Sequence, residues 1–362
     1  MPMNELTLAD HLARRRDNFL WLRILAACAV IYGHSFALAA EDGSRDVFLR
    51  MNWGYYSGDM AVFIFFVVSG YMVTGSYVSR NNLADYMAAR LLRIVPAFAL
   101  VLILSAFVIG PLVTRTDQSS YWASPEVIDY VARNLRFGSD LAWHLPGVFE
   151  THRNTGVNGS IWTLPAEMRM YLLVAIVGAV GILRHRAAGT GTVVVLLVIG
   201  TFAVGYLPLH QDWVRLSGYF CLGILAQLWK DRISVSHAGM LAMAFAAFAF
   251  SRTPAFPYVF ALMLAYFCFW FAYRLPTLGA PERFGDPSYG IYLWGWPIQQ
   301  CLVEVFPTMR PWLNFVLAVP IAIVAGYASW HLLEKRAMRL KNIDWRRLNP
   351  LSRPSMRGTR DH

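Results

Sequence analysis

Ten apolar runs, each close to the length that crosses a lipid bilayer, recur along the 362-residue chain. Because lipid offers no partner for backbone polar groups, such runs fold as helices. Hydrophobic residues make up 57% of the sequence and charged residues only 15%, against about 25% charged in soluble domains. We therefore predict an all-α, polytopic integral membrane protein with about ten transmembrane helices, near residues 19–40, 60–79, 94–113, 168–184, 190–208, 213–229, 236–251, 255–273, 287–306 and 312–333.

The basic residues set the orientation. With the N-terminus in the cytoplasm, ten alternating spans place most of the 32 lysine and arginine residues on the cytoplasmic side, including the run at 14–16. We predict a cytoplasmic segment 1–18, a transmembrane domain 19–340 and a basic cytoplasmic tail 341–362, so that both termini are cytoplasmic. The net charge of +10 is then explained without nucleic acid, and the tail is suited to anionic lipid.

Two polar stretches, 41–59 and 114–167, are predicted to be external loops. A loop as long as 114–167 is usually functional or disordered. Its aromatic content favours a packed cap that stacks on sugar rings, through Trp122, Trp143, His144 and Trp162. The four cysteines lie in apolar runs without a CxxC or Cys/His cluster, so we expect neither a disulfide framework nor a metal site.

Arg23 and His34 are ionisable residues in the first apolar run, which makes them functional candidates by default. Eleven residues at about 100° each end about 20° beyond three full turns, so both side chains share one helix face. They lie about 16 Å apart along the axis, a spacing that suits the two ends of one long ligand. Each has a structural alternative: Arg23 as a snorkelling side chain, His34 as a histidine bonded to a neighbouring helix.

Arg90 and Arg93 are three residues apart, so we expect their guanidiniums to lie side by side at the cytoplasmic entrance of the third span. Paired arginines match the geometry of phosphate, although ordinary positive-inside charge is an alternative. In the second span, Ser69 and Gly70 allow a ligand or another backbone to approach closely.

Glu167 is predicted to lie at the outer start of the fourth span, with Tyr171 one turn further in. A carboxylate is favoured at a helix start, so a purely structural role is one explanation. The functional explanation is that Glu167 orients and polarises an imidazole, as a carboxylate does for a catalytic histidine.

These motifs occur in a fixed order: Arg23-x10-His34, FFVVSGY, Arg90-x-x-Arg93, IWTLPAEMRMY, FGDPSYGIYLWGWPI and SWHLLEK. Over residues 17–340 the chain resembles the membrane acyltransferase-3 family, bacterial enzymes that O-acylate surface polysaccharides and other extracytoplasmic glycans. The resemblance implies a multi-pass acyltransferase of the bacterial cytoplasmic (inner) membrane. One position departs from the family, where a histidine is frequent and this chain has Gly295.

The resemblance and the residues together suggest how a donor binds. Acyl-CoA, most simply acetyl-CoA, would enter from the cytoplasm as the donor and place its phosphates on Arg90 and Arg93. Arg23 would hold the phosphate or pantetheine region, with Ser69 beside the donor.

The chemistry would then fall on His34, as general base or as transient acyl carrier, with Glu167 as its catalytic partner. Tyr171 and Trp162 would contact a glycan or glycolipid acceptor arriving from the outer side. No metal is expected. A different function stays open, in which His34 relays a proton and the arginines recognise an anionic or glycolipid substrate of a transporter or flippase.

Overall fold

The computed structural model describes residues 6–14, 16–40, 43–51, 53–80, 82–202, 205, 210–279 and 283–342. Over these ranges the secondary structure is helical and no β-strand is formed, apart from an isolated bridge between Thr7 and Ser234. Most of the predicted tail 341–362, Arg15 and the first five residues lie outside the described residues.

Each of the ten predicted apolar runs coincides with a helix in the structure. In chain order we label them α1 (Phe19–Ala39), α2 (Ser57–Arg80), α3 (Leu83–Val113), α4 (Gly159–Ala179), α5 (Arg186–Phe202), α6 (Gln211–Leu228), α7 (His237–Ala249), α8 (Phe256–Arg274), α9 (Ser288–Val305) and α10 (Pro311–Arg339).

Among the described residues, six of these helices are long and apolar enough to cross a membrane: α1, α2, α3, α4, α8 and α10. The apolar helices α5 and α7 are shorter, and α6 and α9 have 18 residues each. Polar side chains such as Gln299, Gln300 and Glu304 make α9 less apolar than its neighbours. The protein is thus an all-helical integral membrane protein, while the count of ten spans and the position of the termini stay predictions.

The boundary predicted for the fourth span was wrong. A 3-10 turn at Gly159–Thr163 leads directly into the α-helical part of α4, where Pro165 occupies the first turn and its missing N–H is not needed. Asn158 caps this start by accepting a hydrogen bond from the Ser160 backbone N at 3.0 Å. The segment before α4 therefore ends at 158 rather than 167, and Glu167 lies in the first α-helical turn of α4.

Helix α1 lies at the centre and packs against α2, α9 and α10. Helix α2 packs along α6, and α9 packs along α10. This arrangement surrounds both Arg23 and His34 with other helices, so neither side chain can simply face lipid. The predicted site residues of α1 thus lie inside the bundle.

The segment 114–158 is a packed cap with two helices of its own, Gln118–Ala123 and Pro125–Leu135. His152 ties the cap to α9, because its Nδ1 lies 2.8 Å from Gln300 Oε1 and its Nε2 lies 2.7 Å from Glu304 Oε2. The cap therefore fixes the bundle end opposite Arg23.

Candidate active site

Four charged side chains form what we call the arginine–carboxylate network: Arg23, Arg93, Asp286 and Glu334. Asp286 Oδ2 accepts hydrogen bonds from Arg23 Nη1 at 2.6 Å and from Arg93 Nη2 at 2.7 Å. The other terminal nitrogen of Arg93, Nη1, donates to Glu334 Oε2 at 2.6 Å. The network thereby joins α1, α3, the start of α9 and the last turns of α10.

Two local backbone features place the carboxylates. Gly285 has φ of +97°, and a Cβ there would lie 1.9 Å from Trp330 Nε1, so only glycine fits this turn before Asp286. In α10 the turn Trp330–Glu334 is π-helical, and Glu334 is completely buried with its Oε1 accepting from Ser329 Oγ at 2.8 Å. Both acids are therefore directed at Arg93.

Asp286 lies in the turn before α9, and its ionised form is stabilised. Burial by itself would raise the pKa of this carboxyl group. The guanidiniums of Arg23 and Arg93 and the hydrogen bonds from Ser288 outweigh burial and hold the pKa well below its ordinary value. The carboxyl group of Asp286 is thus ionised at neutral pH.

Two cavities meet at Arg23. The larger one has a volume of about 1070 Å³ and opens at the bundle end where α1 begins; its wall includes Arg16, Arg23, Arg283, Phe284 and Asp286. A second, much smaller chamber of about 50 Å³ lies deeper; it is lined by Arg23, Val62, Phe65, Phe66, Ser69, Thr163, Glu167, Ser288, Tyr289 and Tyr292. The guanidinium of Arg23 therefore stands between the open cavity and the inner chamber.

The inner chamber contains the carboxylate that the sequence singles out. Glu167 Oε1 accepts a hydrogen bond from Tyr171 Oη at 2.5 Å, one turn further along α4. At the far wall, Tyr292 Oη lies 2.7 Å from Thr163 Oγ1 and donates to the Ser160 carbonyl at 2.6 Å. The predicted residues Arg23, Ser69 and Glu167 are thus brought together around one chamber.

His34 is only 5% exposed and lines neither cavity. Its ring meets Trp296 edge-on, with centroids 4.7 Å apart, and its buried Nδ1 has no hydrogen-bond partner among the described residues. Trp296 donates from Nε1 to the Gly156 carbonyl at 2.9 Å, and a Cβ on Gly159 would lie 2.6 Å from its Cη2. The indole is therefore held between the cap and His34.

Arg90 and Arg93, although only three residues apart, have different surroundings. Both terminal nitrogens of Arg93 are bound to carboxylates, and the guanidinium lies 5.6 Å from the Tyr289 ring centroid and 5.3 Å from that of Trp330. The guanidinium of Arg90 lies 5.9 Å from the Tyr171 ring centroid, and in the described part of the chain its buried Nε has no hydrogen-bond partner.

Trp162 lies outside both cavities. Its carbonyl accepts a hydrogen bond from Trp213 Nε1 at 2.9 Å, which fixes the start of α4 to α6.

Sequence reasoning assigned no role to Asp286, Glu334, Tyr292 or Trp296. All four lie in the FGDPSYGIYLWGWPI and SWHLLEK motifs, which in the sequence indicate only the resemblance to the family. The signal that points to Asp286 and Glu334 is an acidic residue at the edge of an apolar run, where it needs a buried partner. Nothing in the sequence indicates that both acids share Arg93.

The sequence is similar to one family profile and to two known proteins. The acyltransferase-3 family profile, which describes an acyltransferase domain, matches residues 17–331. An O-acetyl transferase of Shigella phage Sf6 is 27% identical over 342 residues, covering 87% of this chain and 93% of that protein. Nodulation protein 10 of Rhizobium leguminosarum bv. viciae is 28% identical over 375 residues, covering 92% and 96%. No solved structure matches. The chain belongs to the acyltransferase-3 family of membrane acyltransferases.

Proposed function

We propose that the protein is a membrane O-acyltransferase of the bacterial inner membrane. It takes an acyl group, most simply acetyl, from acyl-CoA on the cytoplasmic side and transfers it to a hydroxyl of an extracytoplasmic glycan. The name of the relative from phage Sf6, an O-acetyl transferase, supports acetyl as the group. The expected topology, with both termini and the Arg23 end of α1 in the cytoplasm, is part of this proposal.

The observation that carries the proposal is the pair of cavities that meet at Arg23. The larger cavity is open at the bundle end where α1 begins, and the inner chamber reaches Glu167. A long anionic donor fits this arrangement, because its charged part can stay in the open cavity while a narrow arm passes the guanidinium of Arg23.

Arg23 and His34 both face α9, because their partners Asp286 and Trp296 lie at its start and in its middle. The arm would therefore run along α1 toward His34. Tyr292 lines the inner chamber and Trp296 contacts His34, so in this proposal both side chains have to move before the thioester reaches the imidazole.

In the proposed reaction, a ring nitrogen of His34 takes the proton of the acceptor hydroxyl. The oxygen then attacks the thioester carbonyl carbon, the C–S bond breaks, and the imidazolium returns the proton to the departing thiolate. Glu167 orients the acceptor, and Tyr171 keeps its carboxylate in place. No step requires a metal.

The test is direct. Purified protein in proteoliposomes is given acetyl-CoA labelled in the acetyl group together with a glycan acceptor, and label in the glycan and free CoA thiol are both measured. Equal amounts of labelled glycan and thiol are expected. Movement of glycan or anionic substrate across the membrane without release of thiol would contradict the proposal and indicate a transporter.

Mass spectrometry of surface polysaccharide from cells with and without the gene identifies the acceptor. A mass difference of one acyl group per modified sugar is expected. Identical masses, in cells shown to express the protein, would argue against a surface glycan as acceptor.

A further inference from the structure

The mouth of the larger cavity has chemistry that the reaction described above does not use. Arg16 and Arg283 lie on its wall beside Arg23, and both are exposed. Among the described residues, neither of these two arginines forms an ion pair. They are therefore available to an anion that enters the cavity.

The acids of the same wall are already occupied. Asp286 is bound by Arg23 and Arg93. Asp17 accepts a hydrogen bond from the Phe19 backbone N at 3.1 Å at the start of α1. The wall of the cavity thus has three arginines and two aspartates. Arg23 is paired with Asp286, so the positive charge of the cavity mouth comes from Arg16 and Arg283, and the mouth favours an anion.

Phe284 adds an aromatic surface next to Arg283. The Phe284 side chain is 66% exposed although it lines the cavity. The next residue, Gly285, has a positive φ and forms the turn that follows Phe284. An exposed aromatic ring beside arginines is a stacking platform for a nucleobase, since every base has a π-face while its phosphates seek guanidinium groups. Trp330 is not free for this role, because Arg93 covers its ring.

We infer that the cavity mouth is a nucleotide subsite, in which Arg16 and Arg283 bind the phosphates and Phe284 stacks on the adenine of the donor. This inference rests on the proposed use of acyl-CoA. It adds a specificity element, since the outer residues select the nucleotide end while Arg23 admits the pantetheine arm. A donor without the nucleotide would lose the contacts with Arg16, Arg283 and Phe284 and would keep the contact of its pantetheine arm with Arg23.

The test measures equilibrium binding of CoA, dephospho-CoA, adenosine 3′,5′-bisphosphate and pantetheine to the full-length protein in detergent with neutral lipid. The variants are Arg16→Gln, Arg283→Gln and Phe284→Ala, with Phe284→Trp as the conservative replacement. Arg232→Gln is the matched control, because Arg232 is an exposed arginine outside the cavity.

We expect each arginine variant to lower CoA affinity about tenfold, because it loses one charged hydrogen bond whose strength is reduced by solvent exposure. Phe284→Ala should lower it about fivefold, and Phe284→Trp should restore it. Pantetheine binding should not change in any of these variants, and Arg232→Gln should bind every ligand like the wild type.

Three results would overturn the subsite. If the wild type binds CoA and all three variants bind it equally well, the nucleotide subsite is wrong while the proposed donor stands. If, in a parallel assay with vesicles that contain anionic lipid, the variants bind these vesicles more weakly than the wild type but bind CoA like the wild type, the mouth is a lipid site. If the wild type itself binds neither CoA nor adenosine 3′,5′-bisphosphate, both the subsite and the acyl-CoA donor are wrong.

Discussion

Arg23 and Asp286 lie 263 positions apart in the chain, and their side chains meet at 2.6 Å at the boundary between the two cavities. The same carboxylate oxygen also binds Arg93. One aspartate therefore sets the position of Arg23, which lines both cavities, and of Arg93, which is also bound to the buried Glu334. An anion that binds Arg23 has to compete with Asp286 for this guanidinium.

Asp286→Asn should destabilise the protein by about 2 kcal/mol at pH 7, since it leaves two guanidiniums without their charge partner and the site is partly solvated. The pKa of Asp286 is held below its ordinary value, so its contribution is complete above about pH 4, the ordinary aspartate value, and is lost as the pH falls further. Thermal unfolding in detergent measures this difference. The gap between wild type and variant should stay constant from pH 7 to about 5 and shrink below pH 4; a constant gap down to pH 3 would show that the charge of Asp286 is not the cause.

Arg90→Ala and Arg93→Ala should fail in different ways. Arg93 binds two carboxylates, so its removal leaves Asp286 with Arg23 as its remaining ion-pair partner and leaves Glu334 buried with only Ser329 as a hydrogen-bond partner among the described residues. We expect this loss to cost about 3 kcal/mol of stability. Arg90 has no ion pair in the described part of the chain, so Arg90→Ala should fold normally. It should lower donor affinity only through Tyr171, because Arg90 faces the Tyr171 ring and Tyr171 Oη binds Glu167 in the inner chamber.

Unfolding midpoints and CoA binding, measured on both variants, test this difference. Arg93→Lys is the conservative control; it should recover part of the stability, because one ammonium group cannot span two carboxylates as the planar fork does. Equal stability of the two alanine variants would contradict the separation of their roles.

His34→Ala should lower the rate of acyl transfer by about 10²–10⁴-fold, the usual contribution of a general base, while leaving CoA affinity within about twofold. The labelled-glycan assay gives the rate, and a binding titration gives the affinity. His210→Ala is a suitable control, because His210 is an exposed histidine ahead of α6. Normal transfer by an inserted, folded His34→Ala protein would remove His34 from the mechanism.

Gly159→Ala should impair transfer at His34 while leaving the larger cavity, where the donor is proposed to bind, unchanged. The new methyl group would lie 2.6 Å from Trp296 Cη2, so the indole has to move, and on its other side it meets His34. We expect kcat to fall at least tenfold while donor KM is unchanged. The control is Gly191→Ala in α5, where a Cβ has nothing within 4 Å. A fall in both parameters together, or in the control as well, would show a general folding defect instead.

The sequence was sufficient for the fold class and for part of the site. Apolar runs predict helices reliably, because lipid leaves the backbone no other way to satisfy its hydrogen bonds. The expectation that Arg23 and His34 share a face follows from helix geometry alone, and both side chains face α9.

The sequence does not predict which charged side chains pair between different helices. The pairing of Arg93 with Asp286 and Glu334 depends on the turn at Gly285 and on the π-helical turn of α10, and neither has a local signature strong enough to predict it. The start of α4 was misplaced because Gly159–Thr163 contains a glycine and polar residues that read as a loop, although they form a 3-10 turn.

The position of Tyr292 and Trp296 has a consequence for the cell as well as for the reaction. Tyr292 lines the inner chamber, and Trp296 contacts His34 and donates to the Gly156 carbonyl of the cap; both side chains are buried. If donor and acceptor enter from opposite faces, a continuous water-filled path between them would let ions leak and discharge an energised membrane. A movement of these two side chains that admits the thioester would therefore also have to exclude water while it lasts.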